Sequence, residues 1–380
     1  MKIIADANIP FVAECFSSIG DVKIVPGREI GPSVVRDADI VLVRSITRVD
    51  SDLLAGSKVR FAGTATIGFE HIDTEYLSIN DIGFASAPGS NANSTAEYVI
   101  AALLEIGQRH NIKLEEKTIG IVGVGNVGSR VERKAKALGM NVLLNDPPLQ
   151  QETGDTKYLL IEELYDCDFI TLHTPLTFEG IDKTFHLADE KFFKSLKTGC
   201  IFLNTSRGGV VASGALKGAI KAGRLKAVML DVWENEPDID VELLRLVDLS
   251  TPHIAGYSLD GKVAGMVMIY KAVCEHFGIE AKKTIEDFLP EPETAEIRID
   301  ADSDTEQNLL HNAVQQVYVI NRDDFNMRKI VMVPEDERGK FFDDLRTNYP
   351  VRREFGNTKI TIKDKSSSLA EKLKGIGFRV

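Results

Sequence analysis

Short apolar runs rich in β-branched residues alternate along the chain with polar and helical stretches, at intervals of about twenty residues. Continuous apolar runs of this length are typical of strands covered on both faces, as in parallel sheets. Two series of such runs predict two α/β domains. The first series is Lys2–Ala5, Val22–Val25, Ile40–Val43, Val59–Gly63 and Gly83–Ala85. The second is Ile119–Val122, Asn141–Asp146, Asp168–His173, Cys200–Asn204, Ala227–Asp231 and Asp248–Ser250.

A helix is predicted between the two series. Ser94 is the expected N-cap, and Glu97 three residues later completes a capping box. One apolar face then follows, formed by Ala96, Val99, Ile100, Leu103 and Leu104. The helix leads directly into the second series and is therefore expected to connect the two domains.

The pattern changes near the segment Phe288–Glu293, whose two prolines between acidic residues predict a linker. Beyond it, short strand and helix patterns predict a small α+β domain. The predicted strands are Ile297–Ile299, Val331–Val333 and Lys359–Ile362, and the predicted helices are Thr305–Val317 and Leu369–Leu373.

Charge and composition restrict the possible partners. The chain has 45 basic and 57 acidic residues and a net charge of −12, which disfavours nucleic acid and anionic membranes as ligands. No apolar run is long enough to span a bilayer, and Asp6 and Asn8 interrupt any signal-peptide pattern. The cysteines are Cys15, Cys167, Cys200 and Cys274. Their spacing predicts reduced core thiols, no bound metal and a cytoplasmic protein.

The most specific motif is a glycine turn after the apolar run Ile119–Val122. Gly123, Gly125 and Gly128 form the pattern G-x-G-x-x-G. The first glycine permits a tight turn and the second lets the backbone approach a pyrophosphate. The third lets the following helix pack closely on the strand. This pattern between a strand and a helix predicts a dinucleotide site.

The next strand supplies the acidic residue that belongs to this motif. Asp146 lies 18 residues beyond Gly128, where a carboxylate can bind the adenosine ribose and disfavour a 2′-phosphate. The N–H groups at the helix start add Asn126 and Val127 to the expected cofactor contacts. Together these features predict a Rossmann-like, doubly wound domain that binds NAD. A glycine-rich turn in an ordinary α/β domain is the alternative.

Three loops after successive strands of the second series carry residues suited to oxidising a 2-hydroxy acid. That reaction needs a cation for the substrate carboxylate, a base for the hydroxyl proton and a group that tunes the base. Arg207, Glu236 and His253 follow three successive predicted strands. We predict that Arg207 binds the carboxylate, that His253 is the general base and that Glu236 stabilises its protonated form.

Each of these assignments has a structural alternative, namely a surface arginine, an acidic turn and a structural histidine. Asp231 is a second acidic candidate in the same loop as Glu236. The catalytic assignment is favoured because the carboxyl ends of parallel strands form the ligand-binding edge of such sheets. At another strand end, His173 and Thr174 are expected to line the cofactor pocket.

Two polar loops of the first domain also follow predicted strands. One contains Arg44 and Ser45, and the other contains Thr66. Their hydroxyls and cations are suited to bind the far end of a substrate across an interdomain cleft. Solvated loops without a ligand are the alternative.

The motifs resemble those of the D-specific 2-hydroxy acid dehydrogenase family, over residues 1–288. The matching segments are Arg44–Thr47, Gly63–Asp73, Asn91–Glu97, the glycine motif with Asp146, His173–Leu176, Asn204–Gly208, Asp231–Pro237 and Thr251–Ala255. The family's catalytic arginine, glutamate and histidine fall on Arg207, Glu236 and His253. The resemblance also implies NAD as cofactor, with Asp231 and Gly256 among its contacts.

Within the family, the chain is similar to a subgroup that acts on a phosphorylated hydroxy acid. The similarity lies in the loop Gly63–His71, in the loop His253–Ser258 and in the C-terminal domain that follows the family core. It implies a homodimer formed through that domain, and substrate contacts from Ser45, Thr66 and Tyr257.

The resemblance implies three domains. Residues 1–94 with 265–288 are expected to bind substrate as a lid, residues 95–264 to bind NAD, and residues 289–380 to dimerise. A dehydrogenase of 3-phosphoglycerate, which also carries an extra C-terminal domain, is the alternative within the family. An NAD-sensing regulator on the same scaffold is the non-enzymatic alternative, and the intact catalytic set argues against it.

Overall fold

The computed structural model describes residues 1–363 and 367–380. Its strands are β1 (Lys2–Asp6), β2 (Asp21–Val25), β3 (Ile40–Val43), β4 (Phe61–Thr64), β5 (Gly83–Ala85), β6 (Thr118–Val122), β7 (Asn141–Asn145), β8 (Phe169–Leu172), β9 (Cys200–Asn204), β10 (Leu225–Leu230), β11 (Leu249–Ser250), β12 (Glu296–Asp300) and β13 (Lys359–Lys363).

The α-helices are α1 (Val12–Phe16), α2 (Pro32–Val35), α3 (Ser51–Leu54), α4 (Thr74–Ile79), α5 (Ala92–Arg109), α6 (Gly128–Ala137), α7 (Pro147–Thr153), α8 (Glu190–Ser195), α9 (Ser213–Lys221), α10 (Val241–Leu246), α11 (Leu259–His276), α12 (Glu306–Val317), α13 (Ile320–Arg328), α14 (Arg338–Thr347) and α15 (Ser367–Ile376). Short 3₁₀ helices span Gly27–Glu29, Ile161–Leu164, Gly208–Val210, Ile285–Asp287, Lys329–Met332, Glu335–Glu337 and Phe355–Asn357.

The described residues form two compact units. The first unit comprises Met1–Ala92 and Tyr257–Glu291. Its five strands are all parallel, in the order β2-β1-β3-β4-β5. Helix α11 packs closely on β4 because Gly63 has no side chain; a Cβ there would lie 2.5 Å from Ile269. The first unit is therefore a parallel α/β layer structure, as predicted.

The second unit comprises Asn93–Gly256 and Pro292–Val380. Its main sheet has six parallel strands in the order β11-β10-β9-β8-β6-β7. The chain order reverses at β6, which has β7 on one side and β8 on the other, and such a switch point opens a crevice at the carboxyl ends of the strands. The predicted doubly wound fold is confirmed.

The segment Pro292–Val380, called here the C-terminal region, carries the parallel pair β12 and β13 and helices α12 to α15. Its side chains Met327, Ile330 and Phe342 are buried in the same hydrophobic core as Leu244 and Val247 near α10. The C-terminal region therefore shares part of its hydrophobic core with the six-stranded sheet of the second unit.

Buried polar groups add a second link between the C-terminal region and helices α5 and α6. The Glu97 carboxylate accepts a hydrogen bond from the Phe355 N–H at 3.0 Å, and Lys134 Nζ lies 3.7 Å from it. Lys134 also donates to the Ile376 carbonyl at 2.6 Å. Burial raises the pKa of Glu97 to about 8 in spite of the neighbouring ammonium.

The predicted capping box at Ser94 and Glu97 is wrong. Helix α5 begins at Ala92, so Ser94 lies inside the helix. Glu97 is 4% exposed. One carboxylate oxygen accepts the Phe355 N–H at 3.0 Å and the other accepts the Asn93 side-chain amide at 3.0 Å, in place of the backbone N–H that a capping box requires. A contact 258 residues away in the sequence thus overrides a local pattern.

The predicted strand Val331–Val333 is also wrong. The chain there forms the 3₁₀ helix Lys329–Met332, which continues directly from α13. Ile330 is fully buried in the core, so the apolar pattern reflects helical burial rather than sheet pairing.

The other predicted strands and helices of the C-terminal region are confirmed as β12, β13, α12 and α15. Thr305 is the N-cap of α12 rather than its first residue, and its hydroxyl accepts from the Asn308 N–H. All four cysteines are buried and free. Over residues 1–363 and 367–380, no helix has both the length and the apolar character needed to cross a bilayer.

Candidate active site

Strands β9, β10 and β11 are neighbours in one parallel sheet, so their carboxyl ends lie at the same edge. Arg207, Glu236 and His253 stand on the loops that leave these three ends. Backbone bonds join the loops: the Asp231 N–H donates to the Asn204 carbonyl at 3.0 Å, and the His253 N–H donates to the Asp231 carbonyl at 2.7 Å. The structure therefore places the three predicted catalytic loops side by side.

His253 and Glu236 form a direct pair, with 2.7 Å between Nδ1 and Oε2. The other carboxylate oxygen accepts the Trp233 N–H at 2.8 Å. Burial acts to raise the pKa of Glu236. The His253 ring, the Trp233 N–H and the charge of Arg346 outweigh that effect and lower this pKa. The carboxylate is thus ionised where it can stabilise a proton on His253.

The loop that carries His253 is held by the carboxylate of Asp231, which is 1% exposed. One oxygen accepts the Thr251 hydroxyl at 2.6 Å and the Ile254 N–H at 2.8 Å. The other accepts the Ala255 N–H at 2.9 Å. The bonds lie on both sides of His253, which has a left-handed φ of 57°. Asp231 therefore fixes an unusual backbone conformation at the candidate base.

Thr251, which donates to Asp231, makes two further hydrogen bonds, one with helix α5 and one with the loop after β10. Its hydroxyl lies 2.7 Å from the Tyr98 hydroxyl of α5, and its carbonyl accepts the Trp233 indole N–H at 2.9 Å. Trp233 is the only tryptophan of the chain and is buried. The indole thus ties the loop after β10 to the loop after β11.

Arg207 is brought to the same place by a close backbone contact. A Cβ on Gly208 would lie 1.8 Å from the Trp233 carbonyl oxygen, so no other residue fits between the two loops. The buried Asn204 side chain donates to the Arg207 carbonyl at 3.0 Å and orients the turn. The arginine therefore stands beside the loop that carries Glu236.

The glycine turn has the predicted backbone features. Gly123 has a φ of 87°, and a Cβ there would lie 2.8 Å from the His173 carbonyl group. A Cβ on Gly128 would lie 2.0 Å from the Gly123 oxygen. Gly125 is exposed, with nothing within 4 Å of a Cβ built on it. Its backbone is therefore open to a ligand, whereas the other two glycines serve the packing.

Asp146 and the start of α6 surround this turn. One Asp146 oxygen accepts the Val124 N–H at 2.7 Å, and the other accepts the Leu149 N–H at 3.0 Å as the cap of α7. Val127 is the N-cap of α6, and Asn126 before it is exposed. Asp146 thus holds the glycine turn, and its contact with a ribose stays a prediction.

The hydroxyl of Thr174 lies next to the glycine turn. Its Oγ1 is buried and has no hydrogen-bond partner among the described residues. Beside it, burial lowers the pKa of His173 to about 3, which keeps that ring neutral. A buried hydroxyl without a partner at this strand end fits a cofactor that supplies one. Asp231 is fully engaged with the His253 loop, and Gly256 follows that loop; their cofactor contacts stay predictions.

The predicted substrate contacts Arg44, Ser45, Thr66 and Tyr257 belong to the first unit, whereas the catalytic three belong to the second. The Arg44 guanidinium lies 6.0 Å from the centre of the Tyr257 ring. Thr66 Oγ1 donates to the Gly68 carbonyl at 2.8 Å, and Ser45 is exposed. The structure thus pairs Arg44 with Tyr257 and places Thr66 in a separate, hydrogen-bonded loop.

Lys262 was not predicted from the sequence. Its Nζ lies 4.6 Å from the centre of the Tyr257 ring, so two cations flank one tyrosine. The available signal was its place in the first turns of the helix that Ser258 caps, five residues beyond Tyr257. Trp233 was likewise missed as a connector, because nothing in its sequence context shows which carbonyl the indole reaches.

The site and the fold define a class: NAD-dependent dehydrogenases of 2-hydroxy acids. The family model described as D-isomer specific 2-hydroxyacid dehydrogenase, NAD binding domain, matches residues 100–255. A second model, Domain of unknown function (DUF3410), matches residues 288–377.

Relatives that match over the full length of the chain identify a subgroup within this class. An erythronate-4-phosphate dehydrogenase of Hahella chejuensis is 41% identical over 380 residues, covering 100% of this chain and 99% of the relative. One of Escherichia fergusonii is 43% identical over 379 residues, covering 100% and 98%. The chain belongs to the erythronate-4-phosphate dehydrogenase family. Among solved structures, NAD⁺-bound 3-phosphoglycerate dehydrogenase of Entamoeba histolytica has a TM-score of 0.61 and 26% identity, covering 76% of this chain and 99% of that one.

The geometry of the glycine turn predicts that one alanine substitution lowers stability and that another weakens NAD binding. Gly128→Ala should destabilise the protein by about 1–3 kcal/mol, because the added Cβ overlaps the Gly123 oxygen. Gly125→Ala should change stability by less than about 0.5 kcal/mol but weaken NAD binding at least about tenfold. Thermal unfolding without cofactor and fluorescence titration with NAD measure both. Normal NAD affinity in Gly125→Ala would show that the pyrophosphate does not pass over this residue.

Proposed function

We propose that the protein oxidises the C2 hydroxyl of 4-phospho-D-erythronate, with NAD as hydride acceptor. The product is 2-oxo-3-hydroxy-4-phosphobutanoate, and the reaction belongs to pyridoxal 5′-phosphate (vitamin B6) biosynthesis. The observation that carries this proposal is the His253–Glu236 pair at 2.7 Å beside the Arg207 loop, in a chain that matches erythronate-4-phosphate dehydrogenases over its full length.

His253 is assigned as the base that takes the hydroxyl proton. Its Nδ1 is bonded to Glu236, so in the neutral ring Nδ1 carries the hydrogen and Nε2 carries the lone pair that accepts the proton. The ionised Glu236 then stabilises the positive ring. Bound NAD supplies the acceptor for the hydride from C2. Arg207 is assigned to the substrate carboxylate, because a guanidinium can bind both carboxylate oxygens.

The phosphate end of the substrate is assigned to the first unit. Arg44 and Lys262 place two cations against Tyr257, and Thr66 and Ser45 add hydroxyl groups. A dianionic phosphate needs such local donors in a protein whose net charge is −12.

A cytoplasmic location is proposed with this function. The support is that Cys15, Cys167, Cys200 and Cys274 are all free thiols, and persistent free thiols are typical of a reducing compartment.

Substrate choice tests the phosphate assignment. NADH formation is measured with 4-phosphoerythronate, erythronate and 3-phosphoglycerate in parallel. We expect the highest kcat/KM for 4-phosphoerythronate and a value at least about 100-fold lower for erythronate, because the cations and hydroxyl groups assigned to the phosphate would be left without it. Equal kcat/KM for erythronate and its phosphate would refute the phosphate pocket, and preference for 3-phosphoglycerate would refute the assigned substrate.

Substitution of His253 tests the base. His253→Ala should lower kcat by about 10²–10⁴-fold while leaving NAD affinity unchanged. His186→Ala is a matched control, since His186 forms a pair of similar geometry with Glu234 at 2.6 Å but has no assigned part in the reaction. A His253→Ala enzyme with near-normal kcat at neutral pH would exclude His253 as the base.

The pH profile tests Glu236 separately. The base acts only when unprotonated, so oxidation slows as the pH falls and the ring gains a proton. Glu236→Gln removes the negative charge that favours the protonated ring, so the acidic limb of kcat/KM should move to lower pH. Initial rates across the acidic range measure the shift, and an unmoved limb would separate Glu236 from His253.

We also propose that the protein is a homodimer formed through the C-terminal region. The support is the exposure of large apolar side chains there, including Phe325 at 66% and Met332 at 85%. Association would remove these side chains from water, which is favourable, and two-fold dimers are the commonest solution.

Paired charge substitutions test this interface by sedimentation. Phe325→Asp with Met332→Asp should shift the protein to monomer. Phe178→Asp with Ile181→Asp is the control, because these residues are also exposed but lie outside the C-terminal region. Dissociation by the control pair alone would place the interface in the NAD-binding part and contradict the proposal.

A further inference from the structure

The C-terminal region contacts both ends of the segment that carries His253. At the start of the segment, the Ser250 N–H and hydroxyl donate to one oxygen of Asp324 at 2.8 and 2.7 Å. At its end, the Arg352 guanidinium donates to the Ala255 carbonyl at 2.5 Å. Asp324 and Arg352 both lie in the part of the chain matched by the domain of unknown function.

Arg352 is itself held in a defined orientation. It is 7% exposed, and its guanidinium lies 4.4 Å from the centre of the Tyr318 ring. Tyr318 and Tyr349 both donate their hydroxyls to Asp323, at 3.0 and 2.6 Å. Asp323 directly precedes Asp324 on α13, so one short segment organises both contacts with the His253 loop.

The two contacts fall on the backbone that Asp231 also holds. The N–H of Ala255 donates to Asp231 and its carbonyl accepts from Arg352, so the residue is fixed at both polar groups. Two residues earlier, His253 has a φ of 57°. Such a conformation is unfavourable for a non-glycine residue and persists only when its surroundings enforce it.

We propose that Arg352 is a positioning residue for the His253 loop, so that the C-terminal region completes the active site of its own chain. This inference rests on the role proposed above for His253. Arg352 touches no reacting atom; it acts through the Ala255 carbonyl, and its loss lets the imidazole leave the orientation in which Glu236 holds it.

The competing explanation is that Arg352 serves only the stability of the C-terminal region. The neighbouring residue separates the two explanations. Arg353 is buried to a similar degree, at 9% exposed, but it donates to Asn357 within the C-terminal region at 2.8 Å. Removing either guanidinium should lower stability, whereas only the loss of Arg352 should change the orientation of the His253 imidazole.

The experiment compares Arg352→Met, Arg352→Lys and Arg353→Met in the full-length enzyme with NAD. Arg352→Met should lower kcat by about 10–100-fold, as expected for a displaced catalytic group, with little change in KM or NAD affinity. Arg352→Lys should recover part of kcat, because an ammonium can still donate to the Ala255 carbonyl. Arg353→Met should lower the thermal midpoint without changing kcat. In a His253→Ala background, Arg352→Met should add no further loss.

A spectroscopic measurement needs no substrate. The ring resonances of His253, assigned by their loss in His253→Ala, should shift in Arg352→Met and Arg352→Lys but not in Arg353→Met. If wild-type enzyme fails to oxidise 4-phosphoerythronate, the proposed function fails, while this spectrum still tests the positioning of His253.

Two results would overturn the proposal. One is a folded Arg352→Met enzyme with wild-type kcat and unshifted His253 resonances. If Arg352→Met does not fold, Arg352→Lys is compared with Arg353→Lys, and equal kcat values and equal His253 spectra for the two lysine variants overturn it instead.

Discussion

The buried carboxylate of Asp231 is the interaction on which the candidate active site depends. It is 1% exposed, and a charge removed from water in this way needs donors around it. Three donors from the segment Thr251–Ala255 meet that requirement. The need to satisfy the carboxylate therefore dictates the path of the backbone that carries His253, and with it the contact between His253 and Glu236.

The same segment is where distant parts of the chain converge. Helix α5 reaches it through Tyr98, and the loop after β10 reaches it through the Trp233 indole. The C-terminal region reaches its last residue, Ala255, through Arg352 and reaches Ser250, just before the segment, through Asp324. Each contact satisfies a backbone or hydroxyl group that would otherwise be buried without a partner, which is costly in a protein interior. The His253 loop is thus determined by the whole second unit rather than by its own sequence.

Local rules are sufficient for the sheet and for the edge that carries the site. Continuous apolar runs identify buried parallel strands, and the carboxyl ends of such strands meet at one edge, so the order of residues alone is enough to group Arg207, Glu236 and His253. The glycine spacing is equally informative, because Gly123 and Gly128 each stand where a side chain cannot fit. Asp231 is recognisable as a polar residue at a strand end, but its sequence does not show that its carboxylate turns inward to the loop.

What the sequence did not reveal depends on contacts between distant residues. Glu97 has the spacing of a capping box, yet its carboxylate bonds to Phe355. The apolar run Val331–Val333, with two valines, has the composition of a strand, yet burial of Ile330 makes it helical. Arg352 carries no local signal, since only the folded chain brings it to Ala255. In each case tertiary packing, which no local pattern encodes, decides the outcome.

Amide hydrogen exchange of the segment Thr251–Gly256 in Asp231→Asn, compared with wild type without cofactor, tests the central claim most directly. An asparagine side chain offers one acceptor oxygen where the carboxylate offers two, so it cannot hold Thr251, Ile254 and Ala255 together. The account predicts that the Ile254 and Ala255 amides exchange at least about tenfold faster in the variant, because hydrogen bonds to a charged group are lost. Wild-type exchange rates in Asp231→Asn would contradict it, since the loop would then hold its shape without the carboxylate.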